Sequence, residues 1–391
     1  MNIILFDGIY HKNLLPLTYT RPVAELRIGL FTIKEKWEKY IENPIQIKTQ
    51  EYLSKKFGSP TMENSIGINA SVLPSDDLMS SLLELKNRQI LTSKGKIIAI
   101  NPLPLHSSNL EQELSEYKMV ETKAEFMQIE NVWDLFRLND QAIRSDIELI
   151  KNDRTFVAPS QTNQLIGDDI YIEEGAKVEC AILNTTTGPI YIAKGAEVME
   201  GSILRGPIAV CENGVIKMGA KIYGATTIGP YSKVGGEVNN CMIQGYSNKG
   251  HDGFLGNSVL GEWCNLGADT NNSNLKNNYQ SVDLYNYPEG KYVDTELQFC
   301  GLIMGDHSKS AINTMFNTGT VVGVSANIYG ADFPSKFIPS YSWGGRKPLE
   351  YKFEKAMDTA KRVMERRNIS LTEEDLEILE FVYNESQKFR K

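Results

Sequence analysis

The strongest pattern in this sequence is an apolar residue at every sixth position through its central region. Eight consecutive positions keep the spacing without a miss, and they are Ile192, Val198, Leu204, Val210, Ile216, Ile222, Ile228 and Val234. The same step recurs before and after this run, at Ile166, Ile172, Val178, Leu260, Leu266, Met304, Phe316, Val322 and Ile328. A helix repeats every 3.6 residues and a plain strand every 2, so neither explains the pattern. A coil of three short strands does, because every sixth residue then points inward and stacked coils bury each other's open faces.

Two breaks interrupt the repeat. The short one, Thr185–Pro189, has the length of a tolerated loop. The long one runs from Asp269 to about Phe299 and is polar and rich in Asn and Tyr. Long loops that leave a rigid scaffold are more often functional than decorative. We therefore expect this segment to be functional, as an arm that reaches across to a neighbouring copy of the chain.

The regions on either side of the repeat have different periods. Residues 1–150 mix strand and helix patterns, which predicts an α/β domain with helices covering a sheet. The strand candidates are Asn2–Phe6, Ile45–Ile47 and Ile97–Ile100, and the helix candidates are Thr32–Tyr40, Asp77–Leu85 and a connector over 132–150. Residues 155–340 form the repeat domain, and 341–391 read as a helical segment. Its two predicted helices are Leu349–Arg367 and Thr372–Lys388, with a capping-box pair at Thr372 and Asp375.

Composition and charge restrict the class of protein. The apolar fraction of 41% and the charged fraction of 23% are typical of a globular protein. A net charge of -8 without a basic run argues against a nucleic-acid partner. No apolar run is long enough to cross a bilayer, and the start MNIILFDGIY lacks the basic residues of a signal peptide. We therefore expect a cytoplasmic protein without membrane insertion.

The five cysteines carry no metal or disulfide signature. They are Cys180, Cys211, Cys241, Cys264 and Cys300, an odd number without CxxC spacing. This pattern favours small apolar residues in a reducing compartment.

One stretch within the repeat, Ser247 to Tyr279, has the residues for chemistry. His251 lies between Gly250 and Asp252-Gly253 and is one of four histidines in the chain. Histidine can act as a general base because its side chain titrates near neutrality. Backbone N–H groups of a rigid coil can be aimed in advance at a negative charge that forms during a reaction. The alternative is a histidine with only a structural role.

Other polar residues of the stretch allow two interpretations. Asn265 offers a donor and an acceptor for sugar hydroxyls, but asparagine also forms turns at coil corners. Lys249 and Lys276 have the charge to bind phosphate, or they are solvated surface residues.

The repeat region resembles the left-handed β-helix of hexapeptide acyltransferases. Within it, residues 250–274 are similar to the acetyltransferase half of the bifunctional N-acetylglucosamine-1-phosphate uridyltransferase/glucosamine-1-phosphate N-acetyltransferase family, with its G-H-x-x-Y-L-G-D-x-x-I-G and N-I-G-A-G-T patterns. The matching residues are Gly250-His251, Leu255-Gly256-Asn257, Gly261, the run Asn265-Leu266-Gly267-Ala268-Asp269-Thr270, and Asn274.

The resemblance implies a role for each matching residue. His251 falls on the catalytic base, and Glu237 and Asn265 fall on residues that hold the amino sugar phosphate. Ala268 and Asn274 fall on acetyl-CoA contacts, and Lys276 lies beside them. The chain departs from the family pattern at several positions: Phe254 replaces a tyrosine, Asn239 a lysine, Asp269 a glycine and Leu275 a tyrosine. Asn239 and Phe254 are therefore expected at the sugar subsite, with altered chemistry.

The N-terminal region resembles the opening of sugar nucleotidyltransferases. Leu14-Leu15-Pro16-Leu17-Thr18 and Arg21-Pro22-Val23 match the second half of that motif. The first half, Phe6 to Lys12, has one glycine, Gly8, where the family has several. Glycine lets backbone N–H groups approach phosphates closely. Lys12, Arg21 and Arg27 are expected to add positive charge. Asp76-Asp77 is the candidate for Mg²⁺, and the metal site is otherwise unknown.

These resemblances give a complete expectation for fold and function. The fold is an α/β nucleotidyltransferase-like domain, a left-handed parallel β-helix and C-terminal helices. The function is acetyl-CoA-dependent N-acetyl transfer to an amino sugar 1-phosphate, with a nucleoside triphosphate and Mg²⁺ as co-substrates if the N-terminal domain also acts. The resemblance implies a homotrimer and a place in UDP-N-acetylglucosamine and cell-wall precursor synthesis.

Two alternatives belong to other classes. One is a catalytically silent scaffold that binds sugar nucleotides. The other is a zinc enzyme of the carbonic anhydrase type, which needs three histidines around one metal. Only His251 and His307 lie in the repeat, which argues against it.

Overall fold

The computed structural model describes residues 2–41, 43–61, 64–104 and 110–390. These residues form two compact units. The first comprises Met1–Leu14, Arg21–Leu26 and Phe31–Glu130. The second comprises Leu15–Thr20, Arg27–Leu30 and Asn131–Lys391. No helix among the described residues is both long and apolar enough to cross a bilayer.

Residues 2–130 carry the predicted alternation of strands and helices. The strands are β1 (Ile3–Phe6), β2 (Arg27–Ile28), β3 (Phe31–Thr32), β4 (Gln46–Lys48), β5 (Ile66–Asn69), β6 (Gln89–Ser93), β7 (Lys96–Asn101) and β8 (Lys118–Glu121). The helices are α1 (Tyr10–Asn13), α2 (Ile33–Tyr40), α3 (Glu51–Phe57), α4 (Asp76–Glu84) and α5 (Leu110–Leu114). Helix α2 begins at Ile33 because Thr32 is its N-cap. The Thr32 hydroxyl accepts the Glu35 N–H at 3.2 Å, and the Glu35 carboxylate accepts the Thr32 N–H at 2.6 Å.

The sheet of the first unit has the strand order β4-β1-β5-β7-β6-β8. Strand β1 pairs in parallel with both β4 and β5, so the strand order reverses around it. Its run of apolar residues is buried, as expected for a strand covered on both faces. Ligands of open α/β sheets bind beyond the carboxyl end of the strand where the order reverses. The loop after β1, which carries Gly8, therefore lies at the position where this fold binds ligands.

Asp7 directly follows β1 and is 2% exposed. One carboxylate oxygen accepts the Val23 N–H at 2.9 Å, and the other accepts the Thr49 hydroxyl at 2.6 Å. Burial nevertheless raises the pKa of this carboxyl from 3.8 to about 6. Below pH 3.8 the Asp7 carboxyl is protonated in both the folded and the unfolded protein, and above about pH 6 it is ionised in both. The ionised form is disfavoured only in the folded state, so the contribution of Asp7 to stability decreases between these pH values.

Asp7→Asn is expected to raise the free energy of unfolding of the first unit at pH 8, by up to about 3 kcal/mol for a shift of this size. The gain should vanish at pH 4, because asparagine mimics the protonated acid. Hydrogen exchange of the β1 amides at pH 4, 6 and 8 measures it. Asp77→Asn, an exposed change in the first turn of α4, is the control. A gain for Asp7→Asn that is equal at all three pH values would contradict the assignment.

The second unit includes the predicted connector, observed as α6 (Asp134–Arg137) and α7 (Asn139–Ile150). Asn139 explains why α7 lies where it does. Its side-chain oxygen accepts the Gly29 N–H at 2.8 Å and the Thr227 hydroxyl at 3.1 Å. Its amide donates to the Ala225 carbonyl at 2.9 Å. Helix α7 is thus fixed to the flank of the repeat by buried hydrogen bonds.

The repeat forms a parallel β-helix with three faces, as predicted. Face 1 consists of β9 (Gln164–Ile166), β12 (Ile182–Asn184), β15 (Ile203–Arg205), β18 (Lys221–Tyr223), β21 (Glu237–Asn239) and β24 (Phe254–Gly256), and the pair β27 (Asn271–Asn272) and β32 (Met315–Phe316) follows. Face 2 consists of β10 (Ile170–Ile172), β13 (Ile190–Ile192), β16 (Ile208–Val210), β19 (Thr226–Ile228), β22 (Met242–Gly245), β25 (Val259–Glu262), β30 (Leu302–Met304), β33 (Thr320–Val322) and β35 (Phe337–Ile338). Face 3 consists of β11 (Lys177–Val178), β14 (Glu197–Val198), β17 (Val215–Ile216), β20 (Lys233–Val234), β23 (Asn248–Lys249), β26 (Asn265–Leu266), β31 (Lys309–Ser310), β34 (Asn327–Ile328) and β36 (Ser342–Trp343).

The apolar residues at sixfold spacing form the core of the β-helix, and nearly all are at most 5% exposed. Ile166 is the exception, with 38% of its surface exposed. In this first coil Leu165, and not Ile166, pairs in register with the buried Leu183, although Leu165 is itself 44% exposed. The strict count of six was therefore wrong by one residue there. The fold class prediction is confirmed.

The long break folds into a hairpin, β28 (Asp283–Asn286) and β29 (Lys291–Asp294), that packs on its own chain. The ring of Tyr285 stacks on Phe337 with centroids 3.6 Å apart. Tyr287 is buried and meets Tyr19 and Phe389 edge-on, at 5.6 and 5.4 Å. These aromatic contacts hold the hairpin against β35 of the β-helix and against the C-terminal segment.

The C-terminal segment contains two helices, α8 (Phe353–Glu365) and α9 (Glu373–Glu385). The first begins later than predicted because Leu349–Glu350 form β37, which pairs antiparallel with β36. The predicted capping box of α9 is confirmed, with Thr372 and Asp375 exchanging hydrogen bonds at 3.1 and 3.2 Å. The Tyr341 hydroxyl donates to the Leu379 carbonyl at 2.7 Å and so ties α9 to the β-helix.

Candidate functional site

His251 lies on the turn between β23 on face 3 and β24 on face 1, and its side chain is exposed. The turn below it is short. From the inward Val234 to the next inward residue, Val238, is a step of four positions, whereas the step from Ile216 to Ile222 in the coil before is six. The His251 turn therefore rests directly on the backbone of the shortened turn.

Glycines make this close stacking possible. A Cβ on Gly236, which has a φ of +70°, would lie 2.8 Å from the His251 carbonyl oxygen and 2.9 Å from the Asp252 Cα. Gly253 has a φ of +114°, and its Cβ would lie 2.3 Å from the Thr270 carbonyl oxygen above. Both positions require glycine, because a side chain would clash with neighbouring backbone. The histidine turn is thus held between two coils.

A cavity of about 710 Å³ opens beside this turn, between face 3 and the end of α8. One wall is a column of outward-pointing residues, one from each successive coil. Lys233 pairs in register with Asn248, Asn248 with Asn265, and Asn265 with Lys309. The parallel register of the coils therefore converts positions far apart in sequence into a continuous polar surface.

The cavity is strongly cationic. Its lining includes Lys217, Lys233, Lys309, Arg366 and Arg367, and none of its described lining residues is acidic. Burial lowers the pKa of the Lys233 amine, and the nearby charges of Arg367 and Lys217 lower it further. Neighbouring positive charges repel one another, and a bound anion offsets that repulsion. The arrangement therefore suits a ligand with several negative charges.

Two of these cations are also fixed by hydrogen bonds. The Arg367 guanidinium donates to the Asn248 side-chain oxygen at 3.1 Å, which joins the segment after α8 to face 3. The Lys309 amine donates to the His307 carbonyl at 2.7 Å, and burial lowers its pKa to about 8. The cationic surface is thus partly ordered before a ligand arrives.

Stacked aromatic rings border the same wall. The ring centroids of Tyr231 and Tyr246 are 5.0 Å apart, those of Tyr246 and Trp263 4.4 Å, and those of Trp263 and His307 6.3 Å. All four residues have a φ between 53° and 61°. The backbone therefore turns in the same way at this corner of each of the four coils. Tyr246 and Trp263 line the cavity.

Sequence analysis missed this aromatic ladder, although the sequence contains a signal for it. In four coils, a ring stands two residues before the outward member of the polar column, as in Tyr231-x-Lys233 and Trp263-x-Asn265. The spacing places rings at the corner and polar groups on the adjoining face.

The structure brings three of the predicted residues together. His251, Asn265 and Ala268 all line the cavity. Asn274 and Lys276 are not among its lining residues. The Asn274 amide donates to the Asn257 side-chain oxygen at 2.7 Å, and the Lys276 amine lies 2.9 Å from the Asp283 carboxylate.

The predicted sugar-contact residues on face 1 are close to one another but not in the cavity lining. Glu237 pairs in register with Phe254, and Asn239 follows on the same strand as Glu237. The Tyr223 hydroxyl donates to the Glu237 carboxylate at 2.7 Å. These residues form a separate patch on face 1, whereas the cationic wall lies on face 3.

The four residues predicted to bind a nucleotide divide between the two units. Gly8, Lys12 and Arg21 belong to the first unit, where Gly8 has a φ of +55° directly after β1. Arg27 belongs to the second unit, where its backbone N–H donates to the Gln244 side-chain oxygen at 2.7 Å. The structure therefore groups Arg27 with the β-helix and not with the glycine loop.

The residues present do not fit a metal ion held by the protein. Across the described part of the chain, no three His, Cys, Asp or Glu side chains come together to hold one. Both oxygens of Asp7 already accept hydrogen bonds. Asp76 and Asp77 lie in the first turn of α4, where they complement the helix dipole.

Comparison with known proteins finds similarity for both parts of the chain. Residues 3–155 match the family model described as sugar nucleotidyl transferase. The chain is 25% identical over 285 residues to the bifunctional sugar-1-phosphate nucleotidylyltransferase/acetyltransferase of Sulfurisphaera tokodaii, covering 72% of this chain and 62% of that protein. It is 24% identical over 259 residues to the bifunctional protein GlmU of Alkaliphilus metalliredigens, covering 53% and 54%.

Both parts of the chain are thus similar, at low identity, to GlmU-like bifunctional proteins. The family resemblance inferred from the sequence is thereby confirmed. A further relative is an uncharacterized acetyltransferase, YaiX, of Escherichia coli O6:K15:H31, 24% identical over 191 residues that cover 48% of this chain and 77% of that protein. The chain spans 54% to 62% of the length of the two GlmU-like proteins, so its own activity is a matter for proposal.

Proposed function

We propose that the β-helix of this protein transfers an acyl group from acyl-CoA to the amine of a phosphorylated amino sugar. One observation carries the proposal: His251, Asn265 and Ala268, assigned from the sequence motif, line one cavity whose charged residues are all cationic. Acyl-CoA and sugar phosphates both carry the negative charge that such a cavity attracts. The named acetyltransferase activity of the relatives supports the same reaction class.

The proposal gives each group a step in the reaction. An acyl-CoA would supply the acyl group as a thioester. His251 accepts the proton that the sugar amine loses as its nitrogen attacks the thioester carbon and the carbon–sulfur bond breaks. The Asn265 amide, which lines the same cavity, would hydrogen-bond a sugar hydroxyl. The Lys and Arg side chains of the cavity hold the phosphates, which positions the two reactants for attack.

The reaction is tested by the release of free CoA thiol from acetyl-CoA over a panel of amino sugar 1-phosphates. The expected result is release that requires both the amine and the phosphate of the acceptor. The matched controls are the same sugars without phosphate and the N-acetylated sugar phosphates. Tight binding of both substrates without thiol release would instead support the silent scaffold.

A second function is favoured by the family match over residues 3–155. We propose nucleotidyl transfer from a nucleoside triphosphate to the sugar 1-phosphate at the loop after β1, with Gly8, Lys12 and Arg21 near the phosphates. Pyrophosphate release with each of the common nucleoside triphosphates tests it, and its absence with all of them would contradict it. Acetyl-CoA as donor, a homotrimer and a cytoplasmic role in UDP-N-acetylglucosamine synthesis complete the proposal.

A further inference from the structure

A lysine stands in the apolar interior of the β-helix. Along face 3, the inward positions of successive coils are occupied by apolar residues such as Val198, Ile216, Val234 and Ile328. Lys249 stands opposite Val234 in the register and is 2% exposed. A buried ammonium group without compensation is strongly unfavourable, so this position requires a reason.

The Lys249 amine is bonded to the histidine turn. Its Nζ donates a hydrogen bond to the carbonyl oxygen of His251. Burial lowers the pKa of this amine to about 8, while the charges of Asp252 and Asp269 act in the opposite direction and favour the ammonium form. The neighbouring Cys241 thiol stays neutral, because burial raises its pKa to about 12. In either protonation state, Nζ keeps a hydrogen to donate.

Packing alone does not account for a lysine at this position. Methionine has a similar length and an unbranched chain, fills an apolar interior well, and would leave no polar group to desolvate. Replacing buried charged groups with apolar residues of similar volume is often stabilising. What methionine lacks is the hydrogen bond that reaches the turn.

We propose that Lys249 is a positioning residue: from inside the β-helix it fixes the His251 carbonyl and so holds the imidazole at the cavity. This role rests on the proposed acyl transfer, in which His251 is the base. The glycine contacts at Gly236 and Gly253 limit where the turn can lie, and Lys249 selects one orientation within those limits.

Lys249→Met in the full-length protein tests the proposal. We expect kcat for CoA release to fall by about 10-fold or more, because small displacements of a catalytic group are costly in rate. KM for acyl-CoA should stay within about twofold and Tm at pH 7 should rise by a few degrees, about the shift of a 1 kcal/mol gain in a domain of this size. Lys249→Gln, which keeps a neutral donor, should recover part of kcat. Ile328→Met, at an inward position of the same face outside the cavity, is the control.

A second readout separates this proposal from the function on which it rests. With histidine labelled by ¹⁵N and the His251 signals assigned from His251→Asn, Lys249→Met should shift those signals and Ile328→Met should not. If the wild-type protein shows no turnover but the shift occurs, acyl transfer fails and the positioning role stands. Unchanged His251 signals or an unchanged kcat in Lys249→Met would overturn the positioning role. A lower Tm together with a proportional loss of all activity would do the same, since it would indicate a purely structural lysine.

Discussion

His251→Ala is expected to lower kcat for CoA release by about 10²- to 10⁴-fold, the usual contribution of a positioned base. The side chain is exposed on its turn, whereas the backbone of that turn is held by Lys249 and by the glycine contacts. Truncation therefore removes the proton acceptor without a cavity in the core, and Tm should change little. The measurement is steady-state CoA release with thermal unfolding on the same samples.

The His251→Ala experiment has an internal control. Added imidazole should restore part of the rate to the variant and none to the wild-type enzyme, because only the variant has an empty place for it. Rates that stay at the wild-type level in His251→Ala would remove His251 from the mechanism. A large fall in Tm would show that the residue supports the coil instead of the reaction.

Reversing the charge of Arg366 and Arg367 together should weaken binding of the phosphorylated substrates by about 10- to 100-fold, since each charged hydrogen bond is worth about 1.5–3 kcal/mol before screening. The two new carboxylates would also pair with Lys217 and Lys233, which leaves less free positive charge for a ligand. The fold should tolerate the change, because repulsion within the cationic cluster is relieved. KM values for acyl-CoA and for the sugar phosphate, measured at two salt concentrations, report the effect.

The matched control is Lys361→Glu with Arg362→Glu. It makes the same change in net charge at exposed positions of the same helix that do not line the cavity. Its KM values should stay near those of the wild-type protein. Equal losses in both double variants would mean that long-range charge, and not the cavity, attracts the substrates.

The β-helix could be predicted from the sequence because the inward positions tolerate little except apolar residues. Their six-residue spacing is therefore visible in the sequence. It did not predict that Lys249 points inward. From Ile228 to Ile243 the coil advances fifteen residues instead of eighteen, so the phase shifts before Lys249 is reached. Counting inward positions in steps of six from Val234 therefore places Lys249 at an outward position.

The site was predicted only in part, for a different physical reason. The motif identified His251, Asn265 and Ala268, because these residues follow one another within two coils. The cations of Arg366 and Arg367 come from the end of a helix far along the chain, and no spacing rule connects them to Lys233. Their meeting depends on how α8 packs, which is a tertiary property.

The position of α8 has a consequence for the order in which the protein becomes functional during synthesis. Each coil of the β-helix contacts its neighbours, so the stack can grow as the chain leaves the ribosome. The cavity wall from Lys217 to Lys309 is then present early. The wall that contains Arg366 and Arg367 is added only after α8 has been made and has docked. A nascent chain therefore carries the histidine turn before the cationic cavity beside it is complete.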